Sequence, residues 1–292
     1  MNLTRSVAAV SVSAIFVSGC TRLFFYPDRR IHDRPERFGL AYDTPRLKSA
    51  DGTIITGIFF HSPIHPAKAT VVHFHGNGGN ITSQWGFSAW LAREGFNVFI
   101  LDYRGYGASN GRPSESGAVE DAVASLRYVR GRPDVNPEKI IVFGQSLGAA
   151  IAVAAAALSP NGVRAVVLES PFASYRSIAR EKLSEFWLTC PIRWPLSFLV
   201  SDRYRPSRMI RLLPHVPVLI VHGSSDKIVP YAEGARLYEA ARSPKELWTV
   251  PGGRHVQAFT VHGAKFRPRL IRFLDRALAV PPGAPRRRGR DG

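Results

Sequence analysis

The chain has 292 residues, and with 45% hydrophobic and 21% charged residues its composition is that of a globular protein with a substantial core. This composition excludes intrinsic disorder for most of the chain. The formal net charge is +17, yet the basic residues are spread along the chain and no basic cluster is interleaved with stacking aromatic residues, so no nucleic-acid partner is expected.

The N-terminal residues 1–19 have the pattern of a secretory signal peptide, with a basic Arg5, a mostly small and apolar stretch and no acidic residue. The sequence VSGC ends at Cys20 and resembles the lipobox of bacterial lipoproteins, which implies cleavage before Cys20 and leaves this cysteine to carry lipid. We therefore expect an exported, membrane-anchored lipoprotein of the bacterial cell envelope, with a buried or uncleaved N-terminal anchor as the alternative. Residues 20–43 are expected to form a tether with some ordered aromatic side chains.

Residues 44–279 are predicted to form one domain of the α/β class. The stretch RLKSADGTIITGIFF predicts two strands around the turn at Asp51 and Gly52. After it, short apolar runs such as ATVVHFHG and NVFILDYRG alternate with segments of helical spacing such as SQWGFSAWLAREGF and VQAFTVHGAKFRPRLIRFLDRAL. This alternation predicts a mostly parallel central sheet with helices on both faces, and function at the carboxyl ends of its strands.

Two segments depart from the alternation. Residues 173–214 are rich in aromatic and aliphatic residues, and Pro191 and Pro195 interrupt their helical pattern. They are predicted to form a short helical lid, although a helical layer on the sheet fits the pattern equally well. Residues 280–292 are rich in Pro, Gly and Arg and are predicted to be a disordered basic tail.

A Gly-x-Ser-x-Gly motif carries the chemistry of the predicted site. It lies where the strand predicted at 139–143 meets an alanine-rich helix, and Gly144 and Gly148 leave room for a sharp turn that lifts Ser146 above the sheet. A serine hydroxyl needs a base and a group that orients the base. Asp226 and His255 each follow a predicted strand, and the order Ser, Asp, His is that of hydrolases rather than of the common serine proteases.

Other residues compete for these roles. His262 is the alternative base, although a position on the following helix would point it away from the strand ends. Glu169, at the end of another strand, is the alternative orienting acid. The backbone amides of Asn77 and Leu147 are the expected oxyanion donors, because glycines surround the first and the second follows Ser146.

Several polar residues near the strand ends are expected to be structural. His73 and His75 alternate along a strand as metal ligands can, but no third ligand cluster accompanies them, so neither a metal nor a cofactor is expected. Asp102 and Arg104, in LDYRGYGASNG, are predicted to form a structural pair.

Taken together, the motifs H-G-N-x-G-N, D-Y-R-G-Y-G, G-x-S-x-G, H-G-x-x-D and G-G-x-H resemble those of the α/β-hydrolase superfamily, over residues 47–278. Within it, the chain is similar to serine hydrolases related to the fission-yeast Bem family and to the mammalian protein depalmitoylases. The resemblance implies the α/β-hydrolase fold and assigns the catalytic triad to Ser146, Asp226 and His255. The expected lipid anchor argues against a cytosolic substrate.

The predicted function is therefore that of a serine hydrolase of carboxylic esters or thioesters. Its substrate is expected to be a small-molecule ester or acyl compound, cleaved through an acyl-enzyme intermediate without a cofactor. One alternative is a serine peptidase of short peptides, because the same triad cleaves amides. The other is a non-catalytic binding module, because a fold does not determine a function.

Overall fold

The structure is a computed structural model that describes residues 24–184 and 190–280. The expected signal peptide, the lipidation site at Cys20 and the basic tail lie outside the described residues, except for Val280 at the start of the tail. Five residues of the predicted lid, 185–189, also lie outside them.

The described residues form strands and helices that alternate along the chain. The strands are β1 (Tyr26–Pro27), β2 (Tyr42–Asp43), β3 (Arg46–Lys48), β4 (Ile54–Phe60), β5 (Thr70–Phe74), β6 (Gly78–Gly79), β7 (Asn97–Asp102), β8 (Ile140–Gln145), β9 (Val163–Glu169), β10 (Val218–Gly223) and β11 (Lys245–Val250). The α-helices are α1 (Ile81–Gln84), α2 (Trp90–Arg93), α3 (Glu115–Arg130), α4 (Leu147–Leu158), α5 (Tyr175–Ser184), α6 (Arg193–Ser197), α7 (Pro206–Met209), α8 (Tyr231–Ala240) and α9 (Gly263–Ala279). Short 3-10 helices lie at Pro35–Phe38, Trp85–Phe87, Cys190–Ile192 and Ile210–Leu212.

Nine strands form a mixed sheet in the order β11-β10-β9-β8-β5-β7-β4-β2, with β3 paired to β4. The six strands from β11 to β7 in this order run parallel, and β4 runs antiparallel to β7. The predicted turn at Asp51 and Gly52 joins the antiparallel pair β3 and β4. The parallel crossovers place the carboxyl ends of these strands at one edge of the sheet, where ligands bind in open α/β folds.

Helices cover both faces of the sheet. Adjacent residues of one strand point to opposite faces, so Val142 packs into a core with α3 and α4, whereas Ile141 packs into a second core with α2 and α9. Strands β5, β7, β8, β9 and β10 consist entirely of buried residues, as expected when both faces are covered. The predicted α/β-hydrolase fold is confirmed.

Two predicted helices differ from the structure. The stretch 83–96 is not one helix, because Gly86 has low helix propensity and the Ser88 hydroxyl is hydrogen-bonded to His73 Nδ1 at 2.8 Å. The helix predicted within 256–278 begins only at Gly263. Before it, Val256 has a positive φ of 53° and the chain forms turns.

The described part of the expected tether packs against the domain. Phe25 is 5% exposed and belongs to the main core, and β1 pairs in parallel with β6. Strand β2 extends the edge of the large sheet by pairing with β4. Residues 24–43 are therefore structural elements of the fold rather than a free linker.

The segment 173–214 follows the carboxyl end of β9, and its described part is helical, with α5, α6, α7 and two short 3-10 helices. Pro191 lies in the first of these 3-10 helices and Pro195 lies in α6, so both occur in short elements. Within the described residues, no helix is both long and apolar enough to cross a membrane.

Candidate active site

The turn that contains Ser146 joins β8 directly to α4. Ser146 has φ 53° and ψ −120°, which is a strained backbone conformation for a residue with a side chain. A Cβ atom added to Gly148 would lie 2.0 Å from the carbonyl oxygen of Phe74, and one added to Gly144 would lie 2.6 Å from Cα of Ala149. Glycine is therefore required at both positions for α4 to begin this close to β5 and β8.

Backbone strain among the described residues is concentrated beside this turn. Their non-glycine residues with positive φ are Ser146, Ser170 and Val256, at 53°, 50° and 53°. Hydrogen bonds connect them through β9, because Ser146 N donates to Glu169 O at 2.9 Å and Val256 N donates to Ser170 Oγ at 3.1 Å. Such conformations each cost about 1–3 kcal/mol and cluster at functional sites.

Asp226 and His255 are hydrogen-bonded to each other, with Asp226 Oδ2 2.8 Å from His255 Nδ1. Asp226 follows β10 and His255 follows β11, and the two loops approach so closely that a Cβ atom on Gly223 would lie 2.2 Å from the carbonyl oxygen of Gly253. The glycines of H-G-x-x-D and G-G-x-H thus bring the carboxylate and the imidazole together.

The Asp226 carboxylate is held in its ionised form. Burial acts to raise its pKa, but hydrogen bonds with His222 and His255 outweigh burial and hold this pKa well below its usual range. Its other oxygen accepts hydrogen bonds from the backbone amides of Ile228 and Val229, both at 2.9 Å. An ionised carboxylate at Nδ1 keeps a proton on that nitrogen and leaves His255 Nε2 able to accept one.

His222 is a second histidine beside Asp226, and it is not among the site residues predicted from the sequence. It is buried, its Nε2 donates to Val229 O at 2.9 Å, and the same nitrogen lies 3.4 Å from Asp226 Oδ2. The sequence does carry a signal for His222, because it is the first residue of the H-G-x-x-D motif, four positions before Asp226.

The two alternative residues occupy other positions. The buried Glu169 carboxylate accepts hydrogen bonds from Gln145 Nε2 at 2.7 Å and from Ala258 N at 2.8 Å, and makes none with His255. His262 lies at the N-terminal end of α9 and makes no hydrogen bond with Asp226. Glu169 therefore supports the turns around the site, whereas Asp226 contacts the imidazole.

Ser146 and His255 are not hydrogen-bonded to each other in the structure. Among the described residues, neither the Ser146 hydroxyl nor His255 Nε2 has a hydrogen-bond partner. The His255 side chain is 16% exposed. Catalytic hydrogen bonds in unliganded enzymes are often long and close only when substrate binds.

The two predicted oxyanion donors follow the neighbouring strands β5 and β8. Leu147 is the first residue of α4, so its amide has no acceptor within the helix. Asn77 follows β5, and its Oδ1 accepts hydrogen bonds from Tyr26 N at 2.8 Å and from the Tyr106 hydroxyl at 3.0 Å. These two contacts hold the loop that carries the Asn77 amide.

His73 and His75 are internal residues of the fold. His73 Nε2 lies 2.9 Å from Gln145 Oε1, and burial lowers the pKa of His73 to about 3 and that of His75 to about 4. Within the part of the chain that the structure describes, no three His, Cys, Asp or Glu side chains are grouped as metal ligands.

The predicted pairing of Asp102 with Arg104 is wrong. Arg104 forms ion pairs with Asp121 and Asp51, each at 2.8 Å. The Oδ1 atom of Asp102 instead accepts a hydrogen bond from Ile81 N at 2.8 Å, and burial raises the pKa of Asp102 to about 7. The helix α3 carries Asp121 to Arg104, and sequence proximity does not reveal this contact.

Comparison with known proteins places the chain in a family. The sequence model of the family described as alpha/beta hydrolase fold matches residues 69–189. The alpha/beta hydrolase domain-containing protein WAV2 of Arabidopsis thaliana is 31% identical over 252 residues, which cover 83% of this chain and 81% of that protein. The chain belongs to the α/β-hydrolase family. Within this family, the uncharacterized protein YfhR of Escherichia coli K12 is similar to it, with 35% identity over 260 residues and 87% of each chain covered.

Solved structures of esterases have the same fold. An esterase of Pyrococcus furiosus superposes with a TM-score of 0.71 at 21% identity, covering 87% of this chain and 98% of its own. Acetyl xylan esterase 1 of Thermoanaerobacterium superposes with a TM-score of 0.60 at 19% identity, covering 79% and 88%. At these identities the likeness establishes the fold alone, and membership of the family supports a hydrolase.

Proposed function

We propose that this α/β-hydrolase family member is a serine hydrolase of carboxylic esters or thioesters. The observation that carries the proposal is the 2.8 Å hydrogen bond between Asp226 and His255, beside the strained turn that carries Ser146. These three side chains have the types and the chain order of a nucleophile, an orienting acid and a base.

In the proposed acylation step, Ser146 Oγ forms a bond to the acyl carbon while His255 Nε2 takes the hydroxyl proton. Asp226 stabilises the resulting imidazolium through Nδ1 without being protonated itself. The amides of Asn77 and Leu147 donate to the oxyanion of the tetrahedral intermediate. The bond to the leaving oxygen or sulfur then breaks as the imidazolium returns its proton to that atom.

Water completes the reaction by the same route. His255 removes a proton from a water molecule while the water oxygen attacks the acyl carbon. In the second tetrahedral intermediate the bond from the acyl carbon to Ser146 Oγ then breaks, the imidazolium returns its proton to Oγ, and a carboxylic acid leaves. The helical segment 173–214, which follows the carboxyl end of β9, is the proposed lid and wall of the acyl pocket. Both structural neighbours described above are esterases, and this supports the choice of substrate class.

Hydrolysis of p-nitrophenyl esters of graded acyl length by the full chain tests the proposal, with Ser146→Ala as the matched variant. We expect turnover by the parent and none above background by the variant, with circular dichroism showing that both proteins are folded. Equal turnover by both chains would refute the role of Ser146. Absence of ester turnover together with Ser146-dependent cleavage of short peptides would favour the peptidase.

We also propose that Cys20 carries lipid and anchors the protein in the bacterial cell envelope, on the basis of the VSGC sequence. Growth of an expressing bacterium with radiolabelled palmitate tests this, since lipid on Cys20 would label the full chain in the membrane fraction and Cys20→Ala would remove the label. A label that persists in Cys20→Ala would contradict the assignment.

A further inference from the structure

A surface of exposed aromatic rings and arginines covers the described part of segment 173–214. We call it the insertion surface and define it by Arg176, Arg180, Trp194, Phe198, Arg203 and Arg208. Trp194 and Phe198 are 56% and 60% exposed, and they are the exposed Trp and Phe of the residues described. Because four positions separate them on a helical turn, both side chains project from the same face of it.

The charge of this segment is strongly positive. Residues 173–214 include eight basic and three acidic residues. The acidic Asp202 is occupied internally, since its carboxylate accepts hydrogen bonds from Ser174 Oγ at 2.8 Å and from Tyr175 N at 2.9 Å. Arg203 and Arg208 are exposed and form no ion pair within the described residues, so their charges are available to a partner.

The basic and apolar groups are interleaved rather than separate. The guanidinium of Arg180 lies 4.4 Å from the ring centre of Trp194, and that of Arg176 lies 5.4 Å from the ring centre of Phe198. A cavity of about 550 Å³ opens beside Phe198 and is lined by Arg176, Arg203 and Arg208. Aromatic rings flanked by arginines match the boundary between acyl chains and phosphates in a bilayer.

We propose that the insertion surface docks on a bilayer that contains anionic phospholipids. Trp194 and Phe198 enter the headgroup region, and the arginines contact lipid phosphates. The complementarity of charge selects this partner, because exposed rings alone would suit any apolar surface, whereas unpaired arginines require an anionic one. This surface is separate from the proposed lipid on Cys20 and from the proposed hydrolysis.

The position of the surface has a consequence for the candidate active site. Segment 173–214 begins just after β9, whose last residue, Glu169, accepts the hydrogen bond from the amide of Ser146. Docking through the insertion surface would therefore bring to the lipid a segment that starts beside the Ser146 turn.

Fluorescence quenching by brominated lipid tests the proposal on the full chain. The chain and its Trp194→Phe variant are reconstituted into brominated phosphatidylcholine vesicles, either neutral or with about 30 mol% phosphatidylglycerol. The difference in quenching between the two proteins reports the depth of Trp194 alone. We expect this difference to be at least about twofold larger in the anionic vesicles, and to shrink at high salt.

Charge reversal provides the matched comparison. Arg203→Glu with Arg208→Glu is expected to reduce Trp194 quenching by at least about half, because each arginine near an anionic surface contributes binding free energy. Arg46→Glu with Arg272→Glu makes the same charge change at exposed positions on β3 and α9, and should leave quenching unchanged. All variants keep the same N-terminus, so differences arise from the substituted positions.

Three outcomes would overturn the proposal. The first is Trp194 quenching that does not depend on phosphatidylglycerol. The second is an equal loss of quenching in the two charge-reversed variants. The third is a dimer in sedimentation equilibrium that Trp194→Ala with Phe198→Ala abolishes, without any effect of lipid, which would assign the surface to a second copy of this chain.

Discussion

The imidazole of His255 and the carboxylate of Asp226 meet at 2.8 Å, although 29 positions separate them in the chain. They follow the neighbouring parallel strands β10 and β11, so the same edge of the sheet carries both residues. The amide of Ser225 donates to Gly253 O at 2.9 Å and holds the two loops together. The contact therefore depends on strand order and on loop packing.

Replacement of Asp226 tests which acid orients the histidine. Asp226→Asn is expected to lower kcat about a thousandfold or more, because an amide no longer favours the proton on His255 Nδ1. Glu169→Gln is the control, since Glu169 is a buried acid that contacts turns instead of the imidazole. It should lower the free energy of unfolding by about 1–3 kcal/mol and change kcat less than about tenfold. Ester kinetics measure kcat, and urea unfolding measures the stability. If Glu169→Gln lowered kcat a thousandfold while Asp226→Asn mainly lowered the stability, Glu169 would be the orienting acid.

The strained backbone of Ser146 predicts a difference between two inactive variants. Both Ser146→Ala and Ser146→Gly remove the hydroxyl, but only glycine adopts φ 53° without steric strain. We expect Ser146→Gly to be more stable than Ser146→Ala by about 1–3 kcal/mol, measured by urea unfolding. Equal stabilities would mean that the turn stores no strain.

The approach of α4 to β5 predicts that Gly148 does not tolerate a methyl group. Gly148→Ala would place Cβ 2.0 Å from a backbone oxygen of Phe74, and it should cost about 1–3 kcal/mol or more of stability. Gly86→Ala is the matched control, because no heavy atom lies within 4 Å of its added Cβ. Thermal unfolding should separate the two variants, and a Gly148→Ala protein as stable as Gly86→Ala would contradict this packing.

The pH dependence of stability should change when Asp102 is replaced. Burial raises its pKa from 3.8 to about 7, so between these values the folded state retains a proton that the unfolded state has released. Asp102 thus makes the free energy of unfolding fall as the pH rises through this window. Between about pH 4 and pH 7.5, the free energy of unfolding of Asp102→Asn should rise by about 1–4 kcal/mol relative to that of the parent. Urea unfolding at each pH measures this difference.

The control for this pH series is Asp275→Asn, because Asp275 is a half-exposed residue paired with Lys68. Because an exposed ion pair contributes at most about 1 kcal/mol, the free energy of unfolding of Asp275→Asn should stay within about 1 kcal/mol of that of the parent at each pH. If the difference in the free energy of unfolding between Asp102→Asn and the parent did not change with pH, Asp102 would have an ordinary pKa in the folded protein.

The contact between Tyr106 and Asn77 predicts an effect on the rate of catalysis. Tyr106→Phe removes the hydrogen bond to Asn77 Oδ1, so the loop that presents the proposed oxyanion donor becomes less well oriented. We expect kcat to fall about five- to tenfold with little change in KM. Tyr42→Phe, which removes a hydroxyl that contacts Glu36 at the surface, should leave both constants unchanged. A rise in KM alone would assign Tyr106 to substrate binding.

Local sequence patterns were sufficient to predict the main elements of this fold. Apolar runs at β5, β8, β9 and β10 alternate with segments of helical period, and this alternation correctly predicted a mostly parallel sheet covered on both faces. The glycines around Ser146 were also predicted from a local pattern, Gly-x-Ser-x-Gly between a strand and a helix, although the atom that excludes a Cβ at Gly148 belongs to the distant Phe74. Patterns of this kind depend on neighbours in sequence, so one chain reveals them.

Contacts between distant residues were decided by the tertiary structure. Arg104 pairs with Asp121 and Asp51 instead of Asp102, because α3 docks beside the loop after β7. Strand β1 pairs with β6, and Phe25 packs into the main core. No local sequence pattern reveals either contact.

The sequence by itself determined the alternation of the main strands and helices, the glycines of the Ser146 turn and the candidates for acid and base. Only the tertiary structure decided that Asp226, and not Glu169, contacts His255. The physical reason is that hydrophobic periodicity specifies which face of an element is buried, whereas the pairing of polar side chains depends on loop paths that many distant contacts determine together.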